Sequence, residues 1–153
     1  MKKRAFCLFI VFLLAGFTGL SAQMTKSQLQ EMYVSYLRGE GYNPTIDSDG
    51  DVNFTAHGHR FYINTIDGDL NSFHLVLLNF LDIGGASNRL KALDAASAVT
   101  RTTKVVRLYI TSNGRIAVDS YIFLVKPDDF KTHLNRLVNL MISAREEFLT
   151  MMN

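Results

Sequence analysis

The stretch VNFTAHGHRFYI, residues 52–63, decides how this chain begins to fold. Apolar and polar residues alternate on both sides of His57-Gly58, and a period of two is typical of a half-buried β-strand. A two-residue turn at His57-Gly58 predicts three cross-strand pairs, which are Ala56 with His59, Phe54 with Phe61 and Val52 with Ile63. The apolar residues then share one face, so the sequence predicts an antiparallel hairpin in this register, because a slip of one residue would separate them.

Amphipathic patterns on either side of this hairpin predict three helices. Thr25 and Gln28 match a capping box, in which each side chain bonds a free backbone N–H of the first turn. The residues expected to face inward in the second helix are Leu90, Leu93, Ala96 and Val99. The three predicted helices span residues 25–41, 87–103 and 127–152.

Strands fill the segments between these helices. Residues 72–80 follow the first hairpin, and residues 104–110 and 115–125 form a second hairpin around Asn113-Gly114. This dipeptide is a strong hairpin signal, because both residues tolerate the positive φ of a two-residue type I′ turn. The predicted order α-β-β-β-α-β-β-α gives a single α+β domain, in which an antiparallel sheet packs against helices.

The N-terminus has the pattern of a signal peptide. Lys2, Lys3 and Arg4 precede an apolar run that is shorter than the roughly 20 residues needed to span a bilayer. Small residues follow this run, so we expect cleavage after Ala22, and an uncleaved N-terminal anchor is the alternative. Residues 1–22 are therefore predicted to direct export, and residues 23–153 to form one periplasmic or secreted domain.

Charge and cysteine content limit the classes of function. The chain has 16 Lys and Arg against 14 Asp and Glu. Without the three cations of residues 1–22, 13 cations remain against 14 anions, a net charge of −1. A basic footprint for nucleic acid is therefore absent, and we expect no membrane contact after signal cleavage. Cys7 is the single cysteine and leaves with the signal peptide, so no disulfide can stabilise the domain.

Several short motifs resemble the YbjN-like family of sensory transduction regulators. They are DSDGDVNF, HGHRFYI, LVLLNF, RLKALDAASAV leading into TKVVRLYI, and NGRIAVDSYIFL followed by PDDF. The family's fold is similar to that of type III secretion chaperones, which are α+β domains that bind other proteins and often dimerise. Ser97 departs from the family pattern, which usually has Asn in its place. The resemblance implies a protein-binding domain and supplies no catalytic residue.

Two acidic turns are the candidate metal site. A helix-loop-helix calcium loop that begins at Asp47 would need glycine at its sixth position and glutamate at its twelfth. Val52 and Gly58 occupy those positions, so this class of calcium site is excluded. The hairpin register nevertheless brings two acidic turns to one end of the sheet. The carboxylates at that end are Asp47, Asp49, Asp51, Asp67 and Asp69. Solvated turns are the favoured interpretation, and a site for a hard cation such as calcium is the alternative.

The histidines form no recognisable zinc or catalytic motif. His57 and His59 flank Gly58, but a turn explains them, and no third nitrogen or sulfur ligand lies nearby in sequence. His74 and His133 are isolated, without a cysteine or a motif-like serine as partner. We therefore expect no enzymatic activity and no cofactor.

The second hairpin carries the candidate partner-binding surface. In the two-residue register both of its faces are apolar, whereas an antiparallel sheet usually packs only one face on the core. The outer face is then covered either by a helix or by a partner, which is another protein or a second copy of this chain. The residues expected to bind that partner are Leu108, Ile110, Tyr121 and Phe123.

These features favour an exported, non-enzymatic module that binds a protein partner, with a chaperone-like or regulatory role. The alternative is a periplasmic protein that binds calcium or a small ligand at the acidic turns. The outer face of the second hairpin distinguishes the first hypothesis, and the two acidic turns distinguish the second.

Overall fold

The structure, a computed structural model, describes residues 24–153, so the predicted signal peptide lies outside the described residues. The helices are α1 (Lys26–Gly39), α2 (Ala86–Thr102) and α3 (Phe130–Met152), and a 3-10 turn at Pro127–Asp129 precedes α3. The strands are β1 (Thr45–Ile46), β2 (Val52–Ala56), β3 (His59–Asn64), β4 (Ser72–Asp82), β5 (Arg107–Ile110) and β6 (Arg115–Phe123). Within residues 24–153, no helix is both long enough and apolar enough to cross a membrane.

The six strands form one antiparallel sheet in the order β1-β2-β3-β4-β6-β5. This confirms the predicted α+β domain with an antiparallel sheet packed against helices. The short strand β1 is an addition to the predicted order, and it pairs with the start of β2. Strands β3 and β4 form the centre of the sheet, and the pairing of β4 with β6 has an irregularity between Leu77 and Leu81.

The first hairpin has the predicted register. Val52 pairs with Ile63, Phe54 with Phe61 and Ala56 with His59. Both turn residues have positive φ, 49° at His57 and 78° at Gly58, as a two-residue type I′ turn requires. The capping box of α1 is also present, since Thr25 N–H donates to Gln28 Oε1 and Gln28 N–H donates to Thr25 Oγ1.

The helices cover one face of the sheet, which we call the inner face. A row of cross-strand neighbours marks it, and all of its members are buried: Phe54, Phe61, Leu77, Val118 and Leu108. Tyr33 of α1 contacts Phe73 of β4 and Phe130 of α3, with ring centroids 5.8 and 4.7 Å apart. A single hydrophobic core therefore joins α1, α3 and the sheet.

Helix α2 presents a different face to the core from the one predicted. Leu90 and Leu93 are exposed, Leu90 to 68%, so the prediction that both face inward is wrong. The buried residues of α2 are Ala92, Ala95, Ala96 and Val99. Small residues allow close approach to α3, and Lys91 Nζ fixes that approach by donating to the Met152 carbonyl at 2.6 Å.

The second hairpin has a three-residue loop instead of the predicted two-residue turn. Thr111 and Arg115 close the loop, because Thr111 N–H donates to the Arg115 carbonyl at 2.8 Å. Gly114 alone takes the left-handed conformation, with φ of 76°, as in a type I turn followed by a glycine bulge. The Thr111 hydroxyl accepts the Arg115 N–H at 3.1 Å and stabilises this wider loop. The register is shifted by one residue, and each side chain of β5 therefore lies on the face opposite to the predicted one.

Candidate functional site

The face of the sheet opposite the helices is the candidate functional site, and we call it the outer face. Its central cross-strand row runs over five strands and consists of Asn53, Tyr62, Val76, Asp119 and Arg107. The next row contains Asn64, His74 and Tyr121. The outer face thus combines charged residues with aromatic ones, whereas the inner face is almost entirely apolar.

An ion-pair cluster around a buried carboxylate occupies the centre of the outer face. The Asp119 side chain is only 2% exposed, and it accepts hydrogen bonds from residues on both neighbouring strands. Arg107 on β5 donates from Nε to Oδ1 at 3.0 Å and from Nη2 to Oδ2 at 2.5 Å. His74 on β4 lies with Nε2 3.1 Å from Asp119 Oδ2. Two donors therefore hold the carboxylate, one of them in the bidentate geometry that Arg favours.

The ionisation of Asp119 follows from this geometry. Burial is the largest influence on the pKa of Asp119 and raises it, because a charged carboxylate loses hydration. The hydrogen bonds from His74 and Arg107, together with the Arg107 charge, outweigh burial and hold the pKa of Asp119 below its ordinary value. The bond to Asp119 in turn raises the pKa of Arg107. The charged form of Asp119 is therefore stabilised by His74 and Arg107.

Aromatic side chains surround this cluster. The Tyr121 ring lies 5.2 Å from the His74 ring and 5.6 Å from the Phe123 ring. The Arg107 guanidinium lies 5.1 Å from the ring centre of Tyr109, within the range of a cation–π contact. Phe123 is 82% exposed and Tyr121 41% exposed, so the end of β6 presents two adjacent aromatic residues to solvent.

The predicted partner-binding residues do not share one face. Tyr121 and Phe123 lie on the outer face, as predicted, but Leu108 and Ile110 lie on the inner face, paired with Val118 and Ile116. Leu108 is buried and Ile110 packs against the core. The prediction that all four form one surface is wrong, because the three-residue loop shifts β5 by one residue against β6.

The first acidic turn uses its carboxylates in local hydrogen bonds. Asp47 Oδ1 accepts the N–H groups of Asp49 and Asp51, both at 3.0 Å, which is a common arrangement in turns. Asp51 Oδ1 accepts the Thr65 N–H at 3.0 Å. Burial raises the pKa of Asp51, while the Thr65 N–H and the Lys26 charge oppose this and the two other carboxylates add to it. The three aspartates line a cavity of about 360 Å³ on the outer face, together with Tyr62, His74 and Val76.

In the second acidic turn, Asp69 bonds a residue of β6 and not the first acidic turn. Asp69 Oδ2 accepts the Tyr121 hydroxyl at 2.9 Å and so orients that ring. Within residues 24–153, no three His, Cys, Asp or Glu side chains are grouped in a way that could hold a metal ion. The convergence predicted for Asp47, Asp49, Asp51, Asp67 and Asp69 is therefore wrong, although the Asp51–Thr65 bond does join the two turn regions.

The neighbours of His74 at the candidate site could not be read from the sequence. It is isolated in sequence, yet pairing of β4 with β6 places it against Asp119 and Tyr121. Asp119 was missed for a related reason. The two-residue turn pairs Asp119 with Leu108, whereas the three-residue loop pairs it with Arg107. The available signal was a lone aspartate in an otherwise apolar strand, which requires a cation on a neighbouring strand.

The turn between α2 and β5 contains a strained valine. Val105 has φ of 57°, a left-handed conformation that is unfavourable for a β-branched residue, so the prediction of a strand from residue 104 is wrong. Its side chain is exposed, so little burial is lost on replacement. We expect Val105→Asn to raise the free energy of unfolding by about 1 kcal/mol, because asparagine tolerates this conformation.

Urea unfolding of the two proteins measures this effect. The matched control is Val125→Asn, which also replaces an exposed valine but at a position without positive φ. That control should stay within about 0.5 kcal/mol of the wild type. Loss of stability in Val105→Asn would show that the Val105 side chain contributes more than its backbone strain costs.

Comparison with known proteins identifies structures with a similar fold and gives no information about the chemistry of this site. No family model matches the chain, and no curated protein matches it in sequence. Among solved structures, an uncharacterised protein from Methanothermobacter thermautotrophicus is similar with a TM-score of 0.58 and 15% identity, over 81% of this chain and 96% of that one. A chain of the HopA1–SchA chaperone–effector complex gives a TM-score of 0.49 at 15% identity, over 76% of this chain and 95% of that one. The likeness to the archaeal protein shows a shared fold.

Proposed function

We propose that this protein is a non-enzymatic binding module whose outer sheet face binds a partner protein. The observation that carries the proposal is the pair of adjacent exposed aromatic residues, Tyr121 and Phe123, beside the ion pair of Arg107 with the buried Asp119. Scattered exposed apolar residues are normal on protein surfaces, but contiguous ones mark interaction sites. Tyrosine and arginine are also enriched among residues that dominate binding energy.

The rigidity of this surface supports the proposal. The Tyr121 ring is fixed from two sides, by its hydroxyl bond to Asp69 and by its contact with His74. Arg107 is held by Asp119 and by Tyr109. Side chains that are already ordered lose less entropy on binding, so more of the contact energy is available for affinity.

The charges on the outer face define the partner's chemistry. The cavity at the Asp47–Asp51 turn is lined by three aspartates and by the rings of Tyr62 and Tyr109. Its charge complements a lysine or arginine side chain. The partner therefore presents an apolar side chain to Tyr121 and Phe123 and a basic side chain to this acidic cavity. Electrostatic complementarity of this kind contributes mainly to orientation and to the rate of association.

Two further parts of the proposal rest on the sequence. Membership of the YbjN-like family rests on the motifs DSDGDVNF, HGHRFYI and NGRIAVDSYIFL, and a chaperone-like or regulatory role follows from that resemblance. Export to the periplasm or beyond rests on the pattern of residues 1–22. A partner should accordingly be sought among envelope proteins.

Site-specific photocross-linking tests the proposal. A photoreactive benzoylphenylalanine in place of Phe123, expressed in the native host, should give a discrete adduct with another protein. The same group in place of Asn135, which is exposed on α3, is the control and should give none. An adduct with twice the mass of the chain would show that the partner is a second copy of this protein. Equal labelling at both positions would contradict the outer face as a binding surface.

A further inference from the structure

An apolar groove lies apart from the centre of the outer face, between α3, the end of β6 and the turn that follows α2. Its volume is about 650 Å³, which is within the range of small-molecule sites. The apolar residues that line it are Val105, Ile122, Phe123, Leu137, Leu140 and Ala144. Phe123 thus lies between the outer face and this groove.

The dimensions of the groove limit what can occupy it. Its α3 wall runs from His133 to Glu147, about 21 Å at 1.5 Å per residue. That length, with a volume of about 650 Å³, suits a slender ligand that lies along α3. The groove is therefore long enough for a single hydrocarbon chain laid along α3.

Backbone chemistry distinguishes a peptide from an acyl chain. The main wall of the groove is helix α3, whose backbone N–H and C=O groups are bonded within the helix. An extended peptide in the groove would leave its own backbone groups without partners on that side, which costs free energy at each group. An acyl chain has no such groups. On its α3 side, the groove therefore favours a hydrocarbon chain over a peptide.

The charges on the rim determine the head group. Lys104 and Arg136 line the groove, and within residues 24–153 neither forms an ion pair. Glu147 lies about 16 Å along α3 from Arg136, at the other end of the wall. One end is thus positive and the other negative. An anionic head group is favoured beside Arg136 and disfavoured beside Glu147, and this fixes the direction of a bound chain.

We infer that this groove binds a single-chain fatty acid, with its carboxylate at Arg136 and its hydrocarbon chain along Leu137, Leu140 and Ala144. This site goes beyond the proposed protein-binding function and does not depend on it. The conformation of Val105 supports the inference. This exposed valine has an unfavourable positive φ and contributes an apolar side chain to the groove.

Calorimetric titration of the full chain with laurate, below the concentration at which laurate forms micelles, tests the site. We expect saturable binding of one laurate per chain, and decanoate, two methylenes shorter, should bind roughly tenfold more weakly. Dodecylamine has the same chain length with a cationic head, and Arg136→Glu removes the favourable charge. Each of these two changes should weaken binding at least about tenfold.

A steric variant locates the ligand. Ser143 is an exposed residue on the groove wall, so Ser143→Trp should fill the groove and abolish laurate binding without loss of folding. Asn139→Trp, on an exposed position of the same helix outside the groove, should bind laurate as the wild type does. Tyr121→Ser should also leave laurate binding unchanged, which separates this site from the partner surface. Absence of saturable binding, equal binding of laurate and dodecylamine, or unchanged binding in Ser143→Trp would each overturn the inference.

Discussion

Arg107→Met is expected to destabilise the folded domain by about 2 kcal/mol at neutral pH, because it leaves the Asp119 carboxylate buried with His74 as its remaining partner. Breaking a fully buried pair typically costs more, about 3–5 kcal/mol. The smaller value reflects the Arg107 side chain, which is 65% exposed and therefore screened by solvent. Urea unfolding monitored by circular dichroism measures the change.

The cost of Arg107→Met should depend on pH. The pKa of Asp119 in the folded protein is below its ordinary value, so the group contributes stability above a pH of about 3.9 and loses it as pH falls through the lower folded pKa. Without Arg107, burial is opposed by His74 alone, and the pKa of Asp119 rises. Below both values the carboxyl group is protonated, and the two proteins should differ little. The difference in stability should then grow from acid to neutral pH.

A double variant is the control for this prediction. Asp119→Val removes the buried charge, and a valine fits the β-strand, so adding it to Arg107→Met should recover most of the lost stability. Such recovery would assign the cost to an unpaired charge and not to lost packing of the arginine stem. The account of the cluster would be contradicted if Arg107→Met cost the same at acid and neutral pH, or if the double variant were no more stable than the single one.

Phe130→Ala is expected to cost about 4 kcal/mol, the largest effect of a single change considered. Phe130 is completely buried at the start of α3, with ring centroids 4.7 Å from Tyr33, 5.1 Å from Tyr36 and 5.6 Å from Phe73. Its removal leaves a cavity where α1, α3 and the sheet meet. The loss should appear as a lower urea midpoint with an unchanged dependence on urea concentration.

Tyr33→Phe is the matched control for the aromatic cluster. The Tyr33 hydroxyl is buried and has no hydrogen-bond partner among the described residues, and burial raises its pKa. Its removal keeps the ring contacts and relieves an unsatisfied polar group, so we expect stability to be unchanged or to rise by about 1 kcal/mol. A cost below about 2 kcal/mol for Phe130→Ala would show that the core does not depend on this cluster.

Local sequence patterns were sufficient to predict those elements whose structure depends on neighbouring residues only. The first hairpin was predicted residue by residue, because the turn His57-Gly58 and the alternation of Val52, Phe54 and Ala56 require the same register. The start of α1 followed from Thr25 and Gln28. The α+β class followed from the order of these elements.

The features that the sequence did not predict depend on small energy differences between alternatives. Asn113-Gly114 suits both a two-residue and a three-residue loop, and the Thr111 side chain stabilises the longer one. Because the predicted loop is one residue shorter, the predicted register does not pair Arg107 with Asp119, and the ion-pair cluster was not predicted. In α2, leucine and alanine stripes both match a helical period, and close packing on α3 favours the alanines. A local side-chain hydrogen bond decides the first case, and tertiary packing decides the second.

The affinity of the purified domain for the protein cross-linked at position 123 tests the central claim most directly. The double variant Tyr121→Ser and Phe123→Ser should bind that protein at least about 30-fold more weakly than the wild type, as expected for residues that dominate an interface. Leu90→Ser is the matched control, since it removes an exposed apolar side chain from α2, with an exposure between those of Tyr121 and Phe123, and it should leave the affinity unchanged. Unchanged affinity in the double variant, or an equal loss in Leu90→Ser, would contradict the outer face as the binding surface.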